Sequence, residues 1–235
     1  MKAIILAGGK ATRLPESAKN IPKALVDVGG KAILQHQIEQ LQTHGFFDIR
    51  LALGYRAEQI IRYLKTSPSS SMNRTLSVDY VIEPEALDTG GAIQFASRDL
   101  REPFLVLNGD ILSDVHFSNF SKRFEERPEE NFMAVYYTRD ARSYGIIKKS
   151  RGRIIQFLEK PAEPIPGHIN AGFYILSPNI FRDDKEKRFS IERDIFPQLA
   201  LQGKLGYYIH RGFWTDAGTE ERLREARERF SLKII

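Results

Sequence analysis

The residues best suited to chemistry come early. From Ile5 to Leu25 the chain reads ILAGGKATRLPESAKNIPKAL: adjacent Gly8 and Gly9, then Lys10, Thr12, Arg13 and Lys23, with Glu16 the one acidic residue. Glycines that close an apolar run let backbone N–H groups approach a ligand without Cβ interference. N–H groups gathered at such a loop and at a helix N-terminus form an anion site. Arg13 offers phosphate oxygens a planar fork of donors, and Lys23 a mobile point charge. The same residues also fit a tight turn carrying exposed bases, and the glycines alone leave both readings open. GGKATR lacks the third glycine of the dinucleotide fingerprint. It also lacks the four-residue spacer and GK[ST] ending of the P-loop.

The elements that must position these groups alternate. Ala3 to Ala7 reads as a central strand. Ile33, Leu34, Ile38 and Leu41 share one helical face that Gly45 stops. DIRLALG predicts a strand, AEQIIRYLK a helix, LSVDYVIE a strand, GGAIQFASRDL a helix, and PFLVLNGD a strand ending abruptly in polar residues. SPSSSMNR, residues 67–74, reads as a surface loop. Such alternation predicts a parallel sheet with helices on both faces, whose ligands bind beyond the carboxyl ends of the strands. Gly8–Gly9 and Asn108–Gly109–Asp110 fall there. The second half is richer in strand: FMAVYYT, YGIIKKS, RIIQFLEKP, HINAGFYILS and KLGYYIHRGFWTD. Its helices are one capped by Ser190 and running to about Gln202, and a final TEERLREARERF with a solvated charged face. A mixed sheet, or a β-rich lobe built onto the first half, is expected.

Composition narrows the classes. A chain of 235 residues, 42% hydrophobic and 28% charged, fits one ordinary globular domain. The charge of +5 favours anionic partners only in general terms, and no basic helix or aromatic-interleaved stripe points to nucleic acid. With no cysteine, disulfides, thiolate zinc sites and cysteine nucleophiles are all excluded. The apolar opening breaks at Gly8, too soon for a signal peptide, and no stretch approaches the roughly 20 apolar residues of a membrane helix. A cytoplasmic protein without membrane or nucleic-acid partners is expected. The five histidines show no ligand spacing, and no nucleophile elbow appears.

LAGGKATRL followed by PKAL, with Lys23 ten residues past Arg13, resembles the N-terminal signature of the sugar-1-phosphate nucleotidyltransferases. The likeness runs through nearly the whole chain, in EPEALDTGGAIQFA, LVLNGDIL, SYGIIKKSRGRIIQFLEKP, INAGFYILSPNIF and GFWTDAGTEERLREA. Among subfamilies the chain resembles short bacterial heptose-1-phosphate guanylyltransferases, mannose-1-phosphate guanylyltransferase-like chains and N-acetylmuramate-1-phosphate uridylyltransferases. DTGGAI, RSYGIIK and FSIERDIF lean toward the heptose type.

The resemblance implies an α/β, Rossmann-like (GT-A-like) fold with a mixed, mostly parallel sheet flanked by helices and a β-rich sugar-binding lobe. Residues 1–235 would be a single nucleotidyltransferase domain. About 1–115 would bind nucleotide and about 116–235 sugar phosphate, with no C-terminal β-helix. It implies transfer of a nucleotidyl group from an NTP to a sugar 1-phosphate, with Mg²⁺ as cofactor. Arg13 and Lys23 would be catalytic. Leu6, Ala7, Gly8, Gly9, Thr12, Arg13, Lys23, Glu83, Thr89, Gly90 and Asn108 would bind nucleotide. Gly145, Glu159, Lys160 and Asn170 would bind the sugar phosphate, and Asp110 and Asp216 the metal. The partners would be the NTP and sugar 1-phosphate, with a homo-oligomer as a further expectation. GTP with heptose or mannose 1-phosphate is favoured over UTP or dTTP with N-acetylmuramate or glucose 1-phosphate. An inactive regulatory relative would be expected to lose Arg13, Lys23 or an aspartate, and all are present. The sequence departs from the family at Ala11, where glycine is usual, at Ala24 and Ala32, where proline is common, and at Pro15, one place early.

Overall fold

The computed structural model describes residues 1–10, 14, 20–66, 76–127, 129–158, 160–181 and 188–231. The expectations for Ala11, Thr12, Arg13, Pro15, Glu159 and the 67–74 loop lie outside them. In chain order the first half comprises β1 (Ala3–Leu6), a small ribbon of β2 (Asp27–Val28) and β3 (Lys31–Ala32), α1 (Ile33–Thr43), β4 (Asp48–Leu53), α2 (Ala57–Thr66), β5 (Ser77–Ile82), α3 (Asp88–Ser97), β6 (Phe104–Asn108) and β7 (Ile111–Ser113). Then follow α4 (Phe117–Glu125), β8 (Asn131–Thr138), β9 (Ile146–Ser150), β10 (Arg153–Leu158), β11 (Gly167–Leu176), α5 (Phe196–Leu201), β12 (Leu205–His210), β13 (Trp214–Asp216) and α6 (Glu220–Ser231).

Nine strands form one sheet in the order β5-β4-β1-β6-β11-β8-β12-β10-β9. β5, β4, β1 and β6 are mutually parallel; β11 runs against β6 and β8, and β10 against β12 and β9. The sheet is therefore mixed and mostly parallel, as expected. The chain leaves β1 toward β4 and β5, then crosses back to place β6 on β1's other side. That reversal is a topological switch point, where open α/β sheets bind ligands.

Strand alternation divides the core between the two faces. Ala3 and Ile5 join Leu34 and Leu41 of α1, Ile60 of α2 and Phe117 and Phe120 of α4. Ile4 joins Ile93 and Ala96 of α3 and Phe196 and Leu199 of α5. α1 ends in a Schellman motif, with Phe46 N–H bonded to Leu41 O and Gly45 N–H to Gln42 O, Gly45 at φ +86°.

Two helical features differ from the sequence reading. α4 was not expected, because its N-cap is His116, whose ring accepts from Asn119 N–H. Ser190 does cap as expected, but its helix opens with one π turn, Ile191–Ile195, before α5. Pro197 explains the turn: having no N–H, it cannot make the bond that a regular helix needs there, and Phe196 N–H bonds to Ile191 O.

Candidate active site

A cleft of about 600 Å³ opens at the switch point. Its walls include Leu6, Ala7, Gly8 and Gly9 after β1, Lys23, Glu83 and Thr89, and Asn108, Gly109 and Asp110 at the end of β6. The volume lies within the roughly 300–1,000 Å³ of small-molecule sites. The glycine loop is held from below: Ala7 N–H bonds to Ala52 O and Tyr55 N–H to Gly8 O. Gly109 approaches β1 so closely that an added Cβ would stand 2.2 Å from Leu6 O, while its N–H donates to that oxygen.

Lys23 arrives on a single 3₁₀ turn, its N–H 3.4 Å from Gly9 O. Its ammonium donates to Asp110 Oδ2 at 2.5 Å, and both side chains are largely shielded. Lys10 also lines the cleft, its ammonium over the Tyr55 ring. Glu83 stands against the glycine loop: a Cβ on Gly8 would lie 3.0 Å from its Oε1. Its Oε2 accepts Leu87 N–H at 3.1 Å. Burial raises the Glu83 carboxyl above its usual range, with the Leu87 hydrogen bond pulling the other way.

Asp216 comes from the far end of the chain. β13 pairs with β7 so that Asp216 lies opposite Ile111, and Ala217 N–H donates to Asp110 O. The two predicted aspartates thus sit on adjoining backbones. Arg222 of α6 grips Asp216 through 2.9 and 3.1 Å hydrogen bonds, Gly218 N–H donates to Oδ1, and the Tyr144 hydroxyl donates to Oδ2. Burial, then the Asp216 contact, raises the Tyr144 phenol far above its usual range. Tyr144 packs edge-on against Trp214 and lies under the Arg222 guanidinium.

The donor set suits a hard divalent cation that keeps substrate and water ligands. Two carboxylates are present, and among the described residues no group of three or more His, Cys, Asp and Glu is placed to cage a metal. Lys23 and Arg222 meanwhile supply the positive charge facing the two carboxylates. Asp110 and Asp216 are the residues that would hold the ion.

The remaining predicted residues are placed variously. Thr89 lines the cleft, but its hydroxyl donates to Glu192, which also accepts from Ser190 Oγ. Gly90 lies beneath Phe189, whose ring would be 2.3 Å from an added Cβ and whose carbonyl takes its N–H. Asn108 presents a buried Oδ1 without a partner among the described residues. In the second half, Asn170 turns inward, accepting Gly172 N–H and donating to the hydroxyl of buried Tyr174. Gly145 lies against Leu158 O, and Lys160 is exposed just past β10. The structure adds Arg222 and Tyr144 as partners of Asp216. Nothing in the spacing marks Arg222 among the many charges of its helix, and Tyr144 stands beside the expected sugar-phosphate residue Gly145. Among the described residues no helix is long and apolar enough to cross a membrane.

Known proteins are similar to this chain over most of its length. The chain is 34% identical over 224 residues to mannose-1-phosphate guanyltransferase of Aspergillus fumigatus, covering 93% of this chain and 61% of that protein. It is 35% identical over 223 residues to the mannose-1-phosphate guanylyltransferase catalytic subunit beta of Danio rerio, with the same coverage. The chain thus spans about 61% of the length of these curated relatives. The crystal structure of HddC from Yersinia pseudotuberculosis complexed with GMP-PN superposes with a TM-score of 0.84 at 31% identity, covering 97% of this chain and 99% of that one. With the profile described as Nucleotidyl transferase matching residues 2–231, the chain belongs to the nucleotidyl transferase family.

Proposed function

We propose that the protein transfers a nucleotidyl group from an NTP to a sugar 1-phosphate, giving an NDP-sugar and pyrophosphate, with GTP and a mannose or heptose 1-phosphate as substrates and Mg²⁺ as cofactor. One observation carries this reading: a single cleft at the switch point holds the Gly8–Gly9 loop, the Lys23–Asp110 pair and the Glu83 carboxylate. The Aspergillus and Danio relatives being mannose-1-phosphate guanyl- and guanylyltransferases, and the GMP-PN in the HddC complex, support the choice of base. Residues 1–115 would bind the nucleotide and 116–235 the sugar phosphate.

In the reaction an oxygen of the sugar 1-phosphate bonds to the α-phosphorus, and the bond from that phosphorus to the β-bridging oxygen breaks. The attacking oxygen is already ionised near pH 7, so no residue need take its proton. The protein's task is to bring two anions together and hold them in line, which is positioning and charge stabilisation. Backbone N–H groups of Gly8 and Gly9 face the triphosphate, with Thr12 and Arg13 continuing the same loop in sequence. Lys23 neutralises phosphate charge once it turns from Asp110. A divalent cation held by Asp110 and Asp216, when bound, supplies a further positive charge at the phosphate oxygens. Glu83 reads the base: an ionised carboxylate only accepts, and guanine offers two neighbouring donors, N1–H and the 2-amino group, where uracil and thymine offer one. Lys160, Glu159, Asn170 and the Gly145 backbone address the sugar phosphate.

The test is a pyrophosphate-release assay crossing GTP, UTP, dTTP, CTP and ATP with a panel of sugar 1-phosphates, with and without Mg²⁺. Turnover of GTP with mannose or heptose 1-phosphate is expected; no turnover with any pair would sink the enzymatic reading.

A further inference from the structure

Gln37 lies in the middle of α1 and is only 2% exposed. Burying an amide is costly unless its hydrogen bonds are made, and this one is satisfied on its Nε2 side only, Oε1 having no partner among the described residues. Its two N–H groups have a specific use. Nε2 donates to Asn108 O and to Ile111 O, both at 2.9 Å. Those carbonyls flank Gly109–Asp110, so one side chain joins the two ends of the turn that carries Asp110.

The turn is fixed from two other sides as well. Gly109 N–H holds Leu6 O on β1, and Asp110 O accepts Ala217 N–H beside Asp216. The platform beneath Gln37 is firm, because Leu34 and Leu41 of α1 are fully buried and the helix ends in its Schellman motif. One turn on, Gln40 Nε2 donates to Val115 O at 2.8 Å, a helix-to-loop bond of the same kind that does not touch the aspartate's turn.

We propose that Gln37 is a positioning residue for Asp110: by bridging the Asn108 and Ile111 carbonyls it holds the Asp110 carboxylate where, with Asp216, it can bind a divalent cation. The inference rests on the reading of Asp110 as a metal-holding residue. Outer partners that orient a metal-holding group typically contribute about 10- to 100-fold in metal affinity or activity. Loss of the Gln37 bridge should therefore be felt as metal affinity, and loss of the Gln40 bond should not.

The experiment measures Mn²⁺ binding by electron paramagnetic resonance in the presence of a non-hydrolysable GTP analogue, alongside the melting temperature of each protein. The proteins are the wild type, Gln37→Met, Gln37→Glu, Gln40→Met and Asp110→Asn. Gln37→Met keeps the side-chain volume and removes both donors; it should weaken Mn²⁺ binding roughly 10-fold or more. Gln37→Glu, with at most one donor when protonated, should weaken binding too, and it decides the matter if the Met variant does not fold. Gln40→Met should lower the melting temperature comparably while binding Mn²⁺ within about twofold of wild type. Wild-type Mn²⁺ affinity in a folded Gln37 variant, or equal losses in the Gln37 and Gln40 variants, would overturn the proposal. Undiminished Mn²⁺ binding by Asp110→Asn would instead overturn the metal reading, and the role of Gln37 with it.

Discussion

Glu83→Gln tests base recognition with two opposed readouts. In the native cleft Glu83 Oε2 is held by Leu87 N–H, while Oε1 faces the glycine loop, with a Gly8 Cβ position 3.0 Å away. Glutamine has the same shape and keeps one acceptor for Leu87. It then places an NH₂ group where the carboxylate would meet the guanine donors. Losing one hydrogen bond to a charged group costs about 1.5–3 kcal/mol, which corresponds to roughly 10- to 150-fold in kcat/KM for GTP. An amide offers one donor and one acceptor, which matches the N3–H and carbonyl edge of uracil, so kcat/KM for UTP should hold or rise. Pyrophosphate release measured across both nucleotides at fixed sugar 1-phosphate gives the ratio. An unchanged GTP-to-UTP ratio would refute the role of Glu83.

Stability should move the other way. Desolvation raises the Glu83 carboxyl above its ordinary 4.5 in the folded chain. The native state therefore holds this proton to higher pH than the unfolded chain. The associated stability is fully present below 4.5 and is lost as pH rises through the folded value. At pH 7 the buried charge is a cost that glutamine removes. Glu83→Gln should thus melt higher than wild type at pH 7, with the gain shrinking toward pH 4. In the wild type, acidification through the same window should raise KM for GTP as the carboxylate becomes a neutral acid.

Three further perturbations follow from the geometry. Asp110→Asn should nearly abolish metal-dependent turnover while its circular dichroism and melting curve stay close to wild type; retained activity would remove Asp110 from the site. Arg222→Leu leaves the shielded Asp216 carboxylate without its cation and should destabilise by about 3 kcal/mol, measured by urea unfolding. Gly109→Ala places a methyl 2.2 Å from Leu6 O, so the turn must shift. Overpacking of this kind costs about 1–3 kcal/mol in a denaturation curve, and the displaced Asp110 should lower kcat more than it raises KM.

The parallel half was legible because its signals are local. AIILA, DIRLAL and the face of Ile33, Leu34, Ile38 and Leu41 each declare their period within a dozen residues. The Gly8–Gly9 loop and Asp110 then fall at strand ends once alternation is recognised. α4 carries Phe117, Phe120 and Phe124 at helical spacing, but its cap is a histidine, which lacks the usual start signal. The insertion of β11 between β6 and β8 was not readable, since its pairing with β6 spans more than 60 residues of chain. KLGYYIHRGFWTD reads as one strand, yet β12 and β13 serve different sheets, separated at Gly212, where a Cβ would strike Asp114. Gln37 is an ordinary helical polar residue until the fold brings the Asn108–Ile111 turn beneath it; Arg222 is near Asp216 in sequence, but nothing in its pattern separates it from the other charges of its helix.

The arrangement of charge explains how such a cleft persists before substrate arrives. Two carboxylates far apart in the chain meet on adjoining backbones, and like charges in a partly shielded site disfavour folding. Each is matched: Asp110 by Lys23 and Asp216 by Arg222. Each carboxylate of the resting centre is thereby faced by a cation. The two pairs differ in kind. Arg222 Nη1 donates to both Asp216 oxygens, and Tyr144 and Gly218 add further hydrogen bonds, so Asp216 is the fixed member. Lys23 holds Asp110 through a single ammonium contact on a flexible stem, the arrangement that most readily exchanges a carboxylate for an incoming phosphate. Precision at Asp110 therefore cannot come from its cation and must come from the backbone beneath it, where the Gly109, Ala217 and Gln37 hydrogen bonds converge.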